Sequence, residues 1–287
     1  MTGRKLIGIG LVCCLFLGCG KSFNKRISLG VVSGWAEGEA MTLVAQEILN
    51  QKGYHVVLQK AAANLLFASM NNGDTDAYMD VWLPETHGDK VARFDKIHST
   101  GTVYEGALLG LVVPEYVSIH SIEELNDYTD QFGGRIIGIE RGSGIAAGTD
   151  RAITEYHLDY EQLNSSTVAM ISELQKAVRE NQWIVITGWK PHWMFSRFDL
   201  KFLADPKTVY GEAERIEAYV REGLDREFPE VYHFFQQVFF DDETMSDLLA
   251  RMEESKNQPE TAKQWVAEHA DLVKSWWNST ADASDPR

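Results

Sequence analysis

From residue 27 the chain alternates between short apolar runs and longer stretches whose apolar residues recur at helical spacing. Ile27-Ser28-Leu29-Gly30-Val31-Val32 reads as a strand. Met41, Val44, Ala45, Ile48 and Leu49 then mark one face of a helix closed by Gly53. Residues 55–58 give a second strand. Leu65, Leu66 and Met70 give a second helix ending at Asn72-Gly73, and an apolar run from Ala77 leads into Asp80-Val81-Trp82. This β-α-β-α-β order predicts a parallel sheet covered by helices. A helical piece is expected over residues 90–97. Residues 107–114 are wholly apolar up to Pro114 and predict a buried strand that leaves its sheet at the proline.

The cycle then restarts. Ser121 and Glu124 stand at the spacing of a capping box and predict a helix start. Residues 135–139 predict a strand, 145–156 and 168–179 two helices, and 183–186 a strand running out at Thr187-Gly188-Trp189. After Asp205-Pro206 the pattern predicts mostly helix: 229–239, 242–253, 259–269 and 271–277. Two successive α/β units imply two lobes: residues 27–113 with 205–278, and residues 114–204. Residues 279–287 read as a solvated tail.

The N-terminus has a different pattern. Arg4 and Lys5 precede an apolar run over residues 6–17, short for a bilayer span and of signal-peptide length. It ends in Phe16-Leu17-Gly18-Cys19, which resembles a bacterial lipobox. Residues 1–18 are therefore expected to be a lipoprotein signal peptide, Cys19 the site of lipid attachment, and residues 19–26 a tether. Cys13 and Cys14 lie within that leader, so Cys19 would be the one cysteine left, and a single cysteine forms no internal disulfide. The expected location is extracytoplasmic, with a lipid anchor in a bacterial membrane.

Composition narrows the function. The 287 residues include 42 acidic and 27 basic side chains, a net charge of -15, which argues against nucleic acid as a partner. His87 and His98 are too far apart in sequence to suggest a zinc pair, and His192 stands singly, so no metal and no cofactor are expected. There is no G-x-S-x-G elbow or P-loop, and no nucleophile–base pair stands out, so no catalytic residue is assigned. The many carboxylates are expected on a solvated surface.

Four segments close strands with unusual residues: Ser33-Gly34-Trp35, Asp80-Val81-Trp82, Thr187-Gly188-Trp189 and Glu140-Arg141-Gly142-Ser143-Gly144-Ile145. Ligands of open parallel sheets bind outside the carboxyl ends of the strands. A single tryptophan is ordinarily a packing residue, and Trp183, Trp193, Trp265, Trp276 and Trp277 are assigned to packing. Trp35, Trp82 and Trp189 at equivalent strand ends instead fit a cage for a quaternary ammonium group, which can donate no hydrogen bond and is held by ring faces. Gly142-x-Gly144-x-x-x-Gly148 is a near miss for a dinucleotide fingerprint. Its last glycine is one place late and it lies mid-chain, so the turn better suits a carboxylate held on free amides at a helix N-terminus. His87, five residues past Trp82 and beyond Pro84, adds a side-chain donor.

Gly34-Trp35-Ala36-Glu37, Trp82-Leu83-Pro84-Glu85-Thr86-His87, Gly142-Ser143-Gly144-Ile145 and the run 187–195 resemble the glycine betaine-binding proteins of bacterial ABC importers. That resemblance implies an α/β, two-lobed type II periplasmic binding fold with mainly parallel sheets and the ligand in the inter-lobe cleft. It further implies a tryptophan box of Trp35, Trp82 and Trp189, and a carboxylate site of His87 with the amides of Gly144 and Ile145. The implied role is binding without turnover, as a monomer, with an ABC permease and its ATPase as partners. Choline, carnitine and proline betaine are alternative ligands, and a ligand sensor or an enzyme acting on methylated amines is an alternative role. Arg141 departs from the family pattern, where proline is common before the turn, and is a candidate extra cation beside the carboxylate.

Overall fold

The structure, a computed structural model, describes residues 25–278. The leader, Cys19 and the tail 279–287 lie outside the described residues. The chain runs β1 (Arg26–Val31), helix Ala36–Gln51, β2 (His55–Lys60), helix Ala63–Asn71 and β3 (Ala77–Leu83), in the expected order. The expected helix over 90–97 is one turn, Gly88–Val91, because residue 97 already starts β4 (Ile97–Pro114). That strand is 18 residues long. Ser121 does cap with Glu124 as a complete capping box, but the turn it opens, Ile122–Tyr128, is 3₁₀ rather than α.

Next come β5 (Arg135–Gly138), helix Gly144–Glu155, β6 (Glu161–Asn164), helix Thr167–Glu180, β7 (Ile186–Lys190), β8 (Leu200–Phe202) and β9 (Glu214–Arg221). Helices Pro229–Gln237, Asp242–Glu254, Gln258–Glu268 and Ala270–Asn278 follow. Residues 183–185 are not strand; β7 begins at Ile186 and runs through Trp189 to Lys190. Among the described residues no helix is long and apolar enough to cross a membrane.

The strand order is β2-β1-β3-β9-β4-β7-β5-β6, with β8 paired to β4. Pairings β1–β2, β1–β3, β5–β6 and β5–β7 are parallel, as expected at the two outer parts of the sheet. The centre is antiparallel, because β9 inserts between β3 and β4 and β4 runs against β7. β9 falls between residues 206 and 229, where the sequence pattern assigns no element in a stretch expected to be mostly helical. Its Ile216, Ala218 and Val220 are fully buried and recur at period two, the spacing of a strand. β4 joins the two parts: residues 97–107 pair with β9, and Leu108–Val112 pair with β7.

Helix starts follow side-chain capping. Ser143, Ser166, Asp241 and Asn257 each accept a backbone N–H in the first turn of the helix they precede. The C-terminal helices return to the β1 part of the fold, where Gln258–Glu268 and Asp242–Glu254 pack on helix Ala36–Gln51. Their inward residues, including Leu248, Trp265 and Val266, are buried. The carboxyl ends of β1 and β3 therefore face those of β5 and β7 across one crevice.

Candidate functional site

That crevice holds a small cavity lined by Trp35, Glu37, Trp82, Thr86, His87, Leu109, Ile139, Ser143, Gly144, Ile145 and Trp189. All six residues expected to bind a ligand lie in it. Trp82 and Trp189 are the next-to-last residues of β3 and β7, and Trp35 is the N-cap of helix Ala36–Gln51, reached through Gly34 at φ +91°. Trp183, Trp193, Trp265, Trp276 and Trp277 do not line the cavity. Trp265 and Trp276 are buried in the core and the other three pack against it. Arg141 is exposed and does not line the cavity either, so the structure places no extra cation there.

His87 is bound into place by Trp82. Its N–H donates to the Trp82 carbonyl and its Nδ1 accepts the Trp82 N–H, both at 3.0 Å. These two bonds account for the five-residue spacing across the Pro84 turn. With Nδ1 an acceptor, the ring proton sits on Nε2, which is buried and has no protein partner. Burial holds the imidazole pKa well below its usual value, so His87 is a neutral donor. Trp35 stacks over it with the planes 9° apart. Glu214, on β9, fixes the loop from behind: its carboxylate accepts the Glu85 and Thr86 amides at 3.0 Å each, and the Thr86 hydroxyl.

Opposite lies the start of helix Gly144–Glu155. Ser143 accepts the Ala146 N–H at 3.3 Å, leaving the amides of Gly144 and Ile145 as the first two of the helix, without intrahelical acceptors. A side chain at residue 144 would collide with the Thr86 γ-methyl, so only glycine lets the loop carrying His87 come this close. One buried donor and a helix N-terminus thus share an end of the cavity, where a carboxylate is favoured.

The indole N–H groups are all satisfied, and by carboxylates. Trp35 donates to Glu140 at 2.8 Å, Trp82 to Asp80 at 2.7 Å and Trp189 to Glu37 at 2.9 Å. For Glu37 and Asp80 this corrects the expectation that the carboxylates form a solvated surface. Glu37 and Asp80 are buried, and Asp80 packs so tightly on Gly38 that no β-carbon fits there. A buried indole needs an acceptor, so three caged tryptophans signal three acceptors, but sequence cannot say which. His192 wedges edge-on against Trp189 at 4.7 Å, its Nδ1 accepting the Met194 N–H. Burial pushes its pKa down to about 3.

Burial also drives the carboxyls upward. Glu37 is raised well above its usual range by burial and then by the charge of Asp80, and Asp80 is pushed up to about 7 by burial. In the unfolded chain Asp80 ionises near the ordinary value of about 3.9. Its contribution to stability is therefore complete below about pH 4 and lost as pH rises to about 7. Asp80→Asn keeps an acceptor for the Trp82 indole without the charge. The variant should gain melting temperature relative to wild type between pH 4.5 and pH 8, and thermal melts of both ligand-free proteins at the two pH values test this. A constant difference across that range would show that Asp80 is not held neutral.

A family model described as the substrate binding domain of ABC-type glycine betaine transport systems matches residues 25–268. The glycine betaine/carnitine transport binding protein GbuC of Listeria monocytogenes is 44% identical over 153 residues, covering 52% of this chain and 51% of that protein. The aligned stretch thus spans about half the length of that relative. The crystal structure of lactococcal OpuAC, closed and complexed with glycine betaine, superposes with a TM-score of 0.83 at 32% identity, covering 88% of this chain and 99% of that one. The glycine betaine, L-proline-binding protein ProX of Borrelia burgdorferi gives a TM-score of 0.85 at 30% identity, covering 89% and 97%. A choline-binding protein in complex with choline shares the fold, with a TM-score of 0.81 at 22% identity.

Proposed function

The chain belongs to the family of substrate-binding domains of ABC-type glycine betaine transport systems, and from that premise we propose that it captures glycine betaine, or a close quaternary ammonium relative, and passes it to an ABC permease driven by its ATPase. In this reading the protein works outside the cytoplasm in osmoprotectant uptake, anchored through a lipid on Cys19. The faces of Trp35, Trp82 and Trp189 hold the trimethylammonium group, while His87 Nε2 and the amides of Gly144 and Ile145 hold the carboxylate. Residues 27–113 with 205–278 form one lobe and 114–204 the other, and closure is favoured because the ligand touches both.

One observation carries the reading. Three indoles and an unpartnered buried imidazole donor share a single small cavity with a helix N-terminus. That set matches a zwitterion with a cation that cannot donate and an anion that must accept. No group in the cavity is needed for turnover in this role. The test is a tryptophan-fluorescence titration of the full chain with glycine betaine, proline betaine, carnitine, choline and ectoine. Saturable binding of glycine betaine at micromolar concentration or below is expected. A fluorescence response to none of the quaternary ligands would overturn the proposal.

A further inference from the structure

Within the tryptophan cage, two indole hydrogen bonds cross the crevice in opposite directions. Trp35, presented after β1, donates its indole N–H to Glu140, which follows β5 in the other part of the sheet, at 2.8 Å. Trp189, in β7, donates to Glu37, in the first turn of the helix after β1, at 2.9 Å. Each side thus supplies a tryptophan and the acceptor for the tryptophan facing it. Trp82 differs, because its acceptor Asp80 stands two residues away on the same strand. An indole N–H lies in the ring plane, so one bond at Nε1 restrains the tilt of a face that must meet a cation. Glu140 does not line the cavity, and Glu37 forms part of its wall.

We propose that Glu37 and Glu140 are positioning residues of the cage, each locking the tryptophan presented by the opposite side, so that the three ring faces converge only when the two sides meet. The idea rests on the ligand reading above and adds the element that holds the bound state. Because both bonds join the two sides, losing one should ease opening far more than it slows encounter. Ligand escape should therefore accelerate while association stays nearly constant.

Stopped-flow kinetics of the full chain with glycine betaine test this. Glu140→Ala and Glu37→Ala are expected to raise the dissociation rate roughly five- to a hundred-fold, the range of leaving a buried indole N–H without its acceptor. Association should stay within about twofold. Glu140→Gln and Glu37→Gln should stay near wild type, because the amide oxygen still accepts the indole N–H. Unchanged dissociation in both alanine variants, or glutamine variants as fast as alanine, would overturn the proposal. Hydrogen exchange of the indole protons, with and without ligand, separates this failure from failure of the ligand reading. Protection of Trp35 should fall in Glu140→Ala and that of Trp189 in Glu37→Ala, with Trp82 unchanged. No difference in either state overturns the lock. If wild type does not bind glycine betaine at all, the ligand reading falls and the exchange pattern alone decides.

Discussion

Replacing Trp189 by alanine should remove measurable glycine betaine binding while leaving a folded protein. The lost face of a desolvated cation–π contact accounts for about 2 kcal/mol. The substitution also strips buried Glu37 of its indole donor, and a buried acceptor left unsatisfied costs about 1–3 kcal/mol. Part of that second cost falls on the closed state alone, since the bond spans the crevice. The combined effect is up to about 3–5 kcal/mol, or roughly two to four orders of magnitude in affinity. Three such contacts contribute about 6 kcal/mol in total, and micromolar binding needs about 8 kcal/mol after the costs of closure and immobilisation. No single face is therefore dispensable. Isothermal calorimetry on wild type and variant, with circular dichroism as the folding check, measures the loss. Unchanged affinity would remove the cage from the account.

The second large effect lies at the other end of the ligand. His87→Ala deletes the buried donor whose Nε2 has no protein partner. A hydrogen bond to a charged group contributes about 1.5–3 kcal/mol, so affinity for glycine betaine should fall roughly ten- to a hundred-fold. Choline carries the same trimethylammonium group without the carboxylate, so wild type should bind it much more weakly, and the variant should lose the part of that preference that His87 supplies, roughly ten- to a hundred-fold. Titrating both ligands against both proteins gives the answer in one matrix. Equal affinities of wild type for glycine betaine and choline would show that His87 and the 143–145 turn are not an anion site. Because burial keeps the imidazole neutral, its donation should not titrate near pH 6.5.

Much of this site was legible before any coordinates. Trp35, Trp82 and Trp189 were marked by strand ends, Gly144 and Ile145 by a glycine turn, and His87 by its place past Trp82 and Pro84 together with the family resemblance, and all six line one cavity. The parts that escaped share one cause: they depend on which residues far apart in sequence become neighbours. Glu140 and Trp35 are 105 residues apart, and Glu37 and Trp189 are 152 apart. No local pattern pairs them, and in so acidic a chain each carboxylate looks like surface. β9 escaped for a different reason. Arg215, Glu217 and Arg221 alternate with Ile216, Ala218 and Val220, a pattern that suits a strand, but its charged residues give no sign that the strand lies at the centre of the sheet rather than on an edge.

What sequence by itself determined was the alternation of elements, the positions of the ring faces and backbone donors, and the family. These are local properties, set by hydrophobic period, by glycine where backbones approach closely, and by short motifs. The tertiary structure alone decided the antiparallel insertion of β9, which lets Glu214 pin the loop carrying His87. It also set the pKa shifts of Asp80, Glu37 and His87, since burial is the largest cause of each and depends on the folded chain. And it decided that each side of the crevice holds the other's tryptophan, because an indole satisfies its N–H with whichever acceptor the closed fold brings within reach.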